Sequence, residues 1–210
     1  LLNGCKQNAN PVSAGINQKI SIIQGQINNW DLGSNNQIRF VIPLNSSPYY
    51  YQALDASLIS QFGTFALLPP SIPDSLTVTV RNWIPGSSVY ISNPDARISN
   101  TSTLVVYSPS LNQNIGKVYR TNSKNSGSDN LNSFYSHYIY VTQDVIIKGY
   151  DSSSVSAYYM IYYDLNFKKG WNNITQTTIS YDSTFTKFGL FSTEPDGGHW
   201  IYVSGYNNIF

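Results

Sequence analysis

Apolar side chains recur at every second position along most of this chain. That is the spacing of a half-buried β-strand, whose successive side chains point to opposite faces, and not the 3.6-residue spacing of a helix. Ile20, Ile22 and Ile27, set around Ile23 and Gly25, predict a first strand that stops at Asn28-Asn29-Trp30-Asp31. Ile38, Phe40 and Ile42 predict a second strand, its hairpin partner across a polar connection. Tyr50, Leu54, Leu58 and Ile59 break the rhythm. They fall at helical spacing with Asp55 and Ser57 on the other side, which predicts one short helix near 50–61. Residues 63–68 read as a strand stopped by Pro69-Pro70, and 76–80 alternate cleanly. Strands at 87–91 and 102–107 lie either side of the turn-forming Asn93-Pro94-Asp95.

Residues 115–120 lead into the most polar stretch of the chain, a long exposed loop at 121–133. Six strands follow at 135–141, 145–150, 157–166, 173–181, 185–191 and 200–203. Short strands at this spacing, separated by Gly, Asn, Asp and Ser, predict an all-β fold, an antiparallel β-sandwich of immunoglobulin-like or Greek-key type. Residues 1–18 have no hydrophobic period and predict a polar tether, with the sandwich occupying 19–210. The 121–133 loop is where two subdomains would divide. Each half would then be small, which favours one continuous sandwich.

Charge narrows the function classes. Only 11% of residues are charged, 12 Lys+Arg against 11 Asp+Glu, where ordinary soluble domains carry about a quarter. A net charge of +1 with no basic cluster leaves no electrostatic footprint for nucleic acid. Polarity comes instead from Asn and Ser, together about a quarter of the chain, and from 17 Tyr. Glu194 is the sole Glu, so strong helix formers are scarce. Neutral surfaces rich in Tyr and Asn are common among exported proteins. Asn45, Asn100 and Asn173 each open an Asn-X-Ser/Thr sequon, a candidate glycosylation site if the source glycosylates exported chains.

Cys5 is the only cysteine, which excludes an intramolecular disulfide, an iron–sulfur cluster and a cysteine-based zinc site. Leu2-Asn3-Gly4-Cys5 resembles the lipobox of bacterial lipoproteins, in which the Cys carries lipid. The alternative is an incidental thiol in a polar tail. No later stretch reaches the roughly 20 apolar residues of a membrane-spanning helix, so membrane contact is expected only through Cys5.

Four phrases stand in a recognisable order: residues 24–30 (Gln-Gly-Gln-Ile-Asn-Asn-Trp), 63–69 (Gly-Thr-Phe-Ala-Leu-Leu-Pro), Lys148-Gly149-Tyr150, and 163–172, which closes on Gly170-Trp171-Asn172. The arrangement resembles uncharacterised bacterial exported lipoproteins, in which a tether after the lipid-bearing Cys leads to an all-β domain. The resemblance implies location and fold and carries no catalytic residues. Independently of it, Gly170 permits a positive φ at a turn and Trp171 can fold back as a plug over the end of the sandwich.

The candidate chemistry is thin. There are two histidines, and no Gly-X-Ser-X-Gly elbow, phosphate-cradling loop or dinucleotide fingerprint. Alternation puts His137 on one strand face with Tyr135 and Ile139, as an ordinary strand histidine. Glu194, Asp196 and His199 lie within six residues and could hold Ca²⁺ or Zn²⁺ if the loop folded back. Asp196-Gly197-Gly198 is equally what a tight turn requires, and that is the preferred reading. Tyr49-Tyr50-Tyr51 and Tyr158, Tyr159, Tyr162 and Tyr163 place rings on both faces of their strands. One face feeds the core, and the other leaves Tyr free to stack on sugars or pair across strands.

The expected function is a non-enzymatic, extracytoplasmic cell-envelope or surface protein, a lipoprotein with a structural or binding role, without a cofactor. Its expected partners are a membrane through lipid on Cys5, other surface proteins or copies of itself, and glycans. The alternatives are a filament subunit assembled by addition of an N-terminal strand from 13–24, and a carbohydrate-binding module.

Overall fold

A computed structural model describes residues 19–44, 47–84, 88–123, 131–151, 159–181 and 186–205, with backbone alone at 47–50, 159 and 181. Cys5, the 1–18 tether, Asn45, Tyr158 and residues 124–130 of the long loop lie outside the described residues, as do the side chains of Tyr49, Tyr50 and Tyr159.

The fold is all-β. Its strands are β1 (Ile23–Gln26), β2 (Gln37–Leu44), β3 (Ser47–Leu58), β4 (Thr64–Leu67), β5 (Thr77–Thr79), β6 (Val89–Ile91), β7 (Arg97–Ser99), β8 (Thr103–Ser108), β9 (Gln113–Thr121), β10 (Phe134–Val141), β11 (Val145–Asp151), β12 (Tyr159–Phe167), β13 (Gly170–Tyr181), β14 (Thr186–Phe191) and β15 (His199–Ser204). One turn of helix, α1 (Val80–Trp83), stands between β5 and β6.

The helix expected near 50–61 is not formed, because residues 50–58 belong to the strand β3. It pairs with β2 from Gln37↔Leu58 to Leu44↔Ser47. Phe40 faces Asp55 but Val41 faces Ala53, so Leu54 is the extra residue of a β-bulge. The inserted residue shifts the side-chain phase, so Leu54 packs against the first core while Leu58, four residues on, is exposed and Ile59 is buried. The sheet is also not wholly antiparallel: β12 and β14 run parallel over Tyr159↔Thr186 to Asp164↔Phe191.

The large sheet runs β3-β2-β8-β9-β10-β13-β14-β12-β11-β6, with β15 added to β9 and β7 joining β5 to β10. β1 and β4 make a separate two-stranded sheet. Two hydrophobic cores result, and β10 and β13 serve both because alternate side chains leave opposite faces. Tyr138 and Trp171 point into a core with Phe40, Ile38, Ile42, Leu104 and Ile27. Ile139, Val141 and Ile174 point into the other, with Leu165, Phe167, Ile147 and the α1 residue Val80.

Residues 24–30, Gly63 and residues 170–172 hold the fastenings of the first core. Gly25 lies flat against the Trp200 indole, where a methyl group would overlap the ring. Ile27 bridges Trp200 in parallel, and Asn28 N donates to Trp200 O at 2.9 Å. The Asn29 amide then copies a strand: Nδ2 donates to Tyr202 O and Oδ1 accepts from Tyr202 N, both at 2.7 Å. Gly63, at φ +80°, accepts the backbone turn against Trp30. At the other end Trp171 is 3% exposed, stacks edge-on against Phe40 at 4.7 Å and donates from Nε1 to Pro70 O at 2.6 Å. It is the plug that its position after Gly170, at φ +108°, suggested. Asn172 ties the turn by accepting from Lys168 N at 2.8 Å and donating to Lys168 O at 2.7 Å.

Candidate functional site

The outer face of β6, β11, β12 and β14 gathers aromatic side chains and an ion pair. Along β12, Tyr163 points into the second core, where burial pushes its hydroxyl up to about 12. Tyr162 points the opposite way, toward solvent. In register beside it stand Tyr150 on β11 and Gly189 on β14. The Tyr150 and Tyr162 rings are 4.8 Å apart, and the Phe191 ring lies 6.0 Å beyond Tyr162. Gly189 makes this possible: a side chain there would overlap the Phe191 ring and crowd Ile179. The result is a strip Tyr150–Tyr162–Phe191 laid across three strands, ending at the exposed Ile179.

One register pair along, Lys148 and Asp164 face each other, with Nζ and Oδ1 3.3 Å apart. Both remain substantially exposed, so the pair adds little to stability and stays available to a ligand. Tyr150 is 55% exposed and Tyr90, opposite Lys148 on β6, is 62% exposed. Desolvation first, then the Asp164 charge and the Tyr150 ring, raises the Tyr162 hydroxyl above its ordinary value, with Lys148 opposing. The hydroxyl is therefore a donor at neutral pH. Alternation alone separated Tyr162 from Tyr163. The strip itself could not be read, since it depends on β14 inserting beside β12.

The 194–199 segment is a fastening of a different kind. Glu194 accepts from Arg120 Nε at 2.5 Å and from Ser136 Oγ at 3.0 Å. Ser136 Oγ lies 3.2 Å from Thr175 Oγ1. Glu194 thus ties the crossover from β14 to β15 onto β9 and β10. Gly197, at φ +86°, turns the chain, and His199 Nδ1 lies 3.4 Å from Gly197 O. Among the described residues, no group of three or more His, Cys, Asp and Glu side chains could hold a metal ion. Glu194, Asp196 and His199 do not converge.

His137 belongs to a third polar environment. The Tyr119 ring meets both Tyr135, at 5.9 Å, and His137, at 6.0 Å. Burial first, and then the charge of the buried Lys117, pushes the imidazole down to about 4. His137 is therefore neutral at physiological pH. Burial likewise lowers the Lys117 ammonium and raises the Tyr119 hydroxyl. Of the sequons, Asn173 lies in mid-strand with its amide donating to Thr175 Oγ1 at 3.2 Å, and Asn100 donates to Pro43 O at 3.3 Å. Both are half-buried. Among the described residues no helix is long and apolar enough to cross a membrane. No family model, curated protein or solved structure matches the chain.

Proposed function

We propose that this chain is a non-enzymatic binding module displayed outside the cytoplasm, held at a cell envelope by lipid on Cys5, and that it works through the outer face of β11, β12 and β14. The observation that carries the reading is the aromatic cluster Tyr150–Tyr162–Phe191 on the outer face of the sheet, with Tyr150 exposed and the other two rings half-buried against it. Exposed apolar surface gathered in one place marks interaction sites in soluble domains. Low charge, many surface amides and hydroxyls, and the lipobox-like Leu2-Asn3-Gly4-Cys5 support the location.

The filament alternative has less support. β1 pairs with β4 of the same chain, and Ile23 and Ile27 fill its own core. That leaves only the residues before Ile20 to serve a neighbour.

Two measurements test the proposal. The native protein should yield a Cys5 peptide bearing acyl chains in mass spectrometry, and an unmodified peptide across Asn3–Lys6 refutes the anchor. In a sedimentation assay with insoluble envelope material from the source, the wild-type chain should co-sediment and a Tyr150→Ala/Tyr162→Ala variant should stay in solution. Equal partitioning of the two refutes the binding face.

A further inference from the structure

We propose that Tyr150 and Tyr162 form an oxidative cross-linking site, at which a peroxide-driven one-electron oxidant joins the two rings into an intramolecular dityrosine. The two residues are direct register partners on antiparallel β11 and β12. Side chains of such a pair stand off the same face of the sheet side by side, so the two phenol rings lie alongside one another at similar height. Their centroids are 4.8 Å apart and their planes meet at 43°. Parallel stacking would set ring face on ring face, and a perpendicular contact would aim an edge at a face. The intermediate tilt lets the ring edges meet through a small turn about the Cβ–Cγ bonds, and the two planes of a biaryl are likewise twisted. A phenol carries an ortho carbon on each edge, so whichever edge turns inward presents one.

The surroundings choose the partners. Tyr162 lies between Tyr150 on β11 and the Phe191 ring on β14, which is 6.0 Å away. Gly189 leaves room for that Phe191 ring to close in. Phe191 fills the far side of Tyr162 but has no hydroxyl to oxidise, so coupling is directed to Tyr150. Tyr150 is 55% exposed and open to a soluble oxidant. The Tyr119–Tyr135 pair is the contrast: its rings meet at 75° with centroids 5.9 Å apart, and Tyr119 is 3% exposed. It lacks both the geometry and the access.

Each phenol gives up one electron and its hydroxyl proton and becomes a neutral phenoxyl radical, its unpaired electron shared with the ortho carbons. Coupling forms one C–C bond between an ortho carbon of each ring. The hydrogen on each of these carbons then moves to the oxygen, which restores both phenols. Two electrons and two protons leave in all, and hydrogen peroxide takes them up to become two molecules of water. Cys5 is the only cysteine, so no intramolecular disulfide competes for the role of a covalent staple, and this bond holds β11 to β12. Access of the oxidant rests on the proposed display outside the cytoplasm; the site itself rests on the geometry of the two strands.

The test is treatment of the intact chain with hydrogen peroxide and a haem peroxidase, followed by trypsin and mass spectrometry. The treated chain should show blue dityrosine fluorescence while still running as a monomer on a denaturing gel. Its tryptic peptide 149–168 should be two hydrogens lighter, with backbone fragments suppressed from Tyr150 to Tyr162. Tyr150→Phe and Tyr162→Phe should each abolish that product, and Tyr135→Phe should leave it unchanged. Circular dichroism matching wild type keeps a folding defect from imitating the loss. An unaltered 149–168 peptide, a product that survives Tyr162→Phe, or fluorescence confined to covalent dimers overturns the proposal. The sedimentation assay reads the binding face separately, because the Phe variants keep their rings. If wild type co-sediments with envelope material but forms no 150–162 bond, the cross-link falls and the binding face stands. If the bond forms in a chain that does not co-sediment, the binding face falls and the cross-link stands.

Discussion

Acidification should destabilise this protein through His137 before its carboxylates begin to protonate. In the unfolded chain the imidazole takes a proton near 6.5, and in the folded chain burial and the Lys117 charge delay this to about 4. Between those values the unfolded state binds more protons, so stability rises with pH. The contribution is fully present above about pH 6.5, shrinks as the pH falls through that window, and is gone below about 4. At about 1.4 kcal/mol for each tenfold change in proton affinity, the gap sets a ceiling of about 3 kcal/mol, a large part of the 5–15 kcal/mol typical of a domain. Asp144 does not confuse the window. The Lys169 backbone N–H first, then the Lys168 side chain, holds its carboxyl below the ordinary 3.8, so its contribution is lost only at more acid pH. The assay is urea unfolding at steps from neutral pH to about pH 4. His137→Gln should flatten the dependence in this window. Lys117→Met should raise the imidazole's proton affinity in an NMR titration, but only partly, because burial is the larger cause. A His137→Gln variant with the wild-type pH slope would refute the reasoning.

Two further predictions concern the fastenings. Trp171→Ala should cost about 3–5 kcal/mol in urea unfolding. Trp171→Phe should cost about 1–3 kcal/mol, because Pro70 O loses its donor, and a loss below 1 kcal/mol for the Ala variant would refute the plug. Glu194→Gln should cost about 1–3 kcal/mol by weakening the charge-assisted bonds from Arg120 and Ser136. Hydrogen exchange should then accelerate at 192–198 and not in β11. Uniform acceleration would show that Glu194 is not a local latch.

How much could be read in advance differed by kind of feature. Gly170-Trp171 was legible because a glycine turn and a following indole are neighbours in sequence, and their geometry is local. His137 was legible as a strand residue but not as a strongly perturbed one, since its pKa depends first on burial by neighbouring strands and then on the charge of Lys117 on β9. Glu194 looked like a metal candidate because its neighbours Asp196 and His199 share the segment. Its actual partner Arg120 is 74 residues away, and no local signal links them. The β3 bulge at Leu54 misled the periodicity outright, because one inserted residue moves every later side chain to the other face.

Alternation along the chain by itself determined that this is a β protein, where its turns lie, and that Tyr162 and Tyr163 must face opposite ways. These follow from the two-residue repeat of an extended backbone, a property of adjacent residues. Only the tertiary structure decided that β10 and β13 would divide two cores, that β14 would slip in parallel beside β12, and that Gly189 would let Phe191 lie next to Tyr162. Strand pairing is chosen by hydrogen bonds and packing between segments far apart in sequence, and the repeat within a strand does not encode its neighbour.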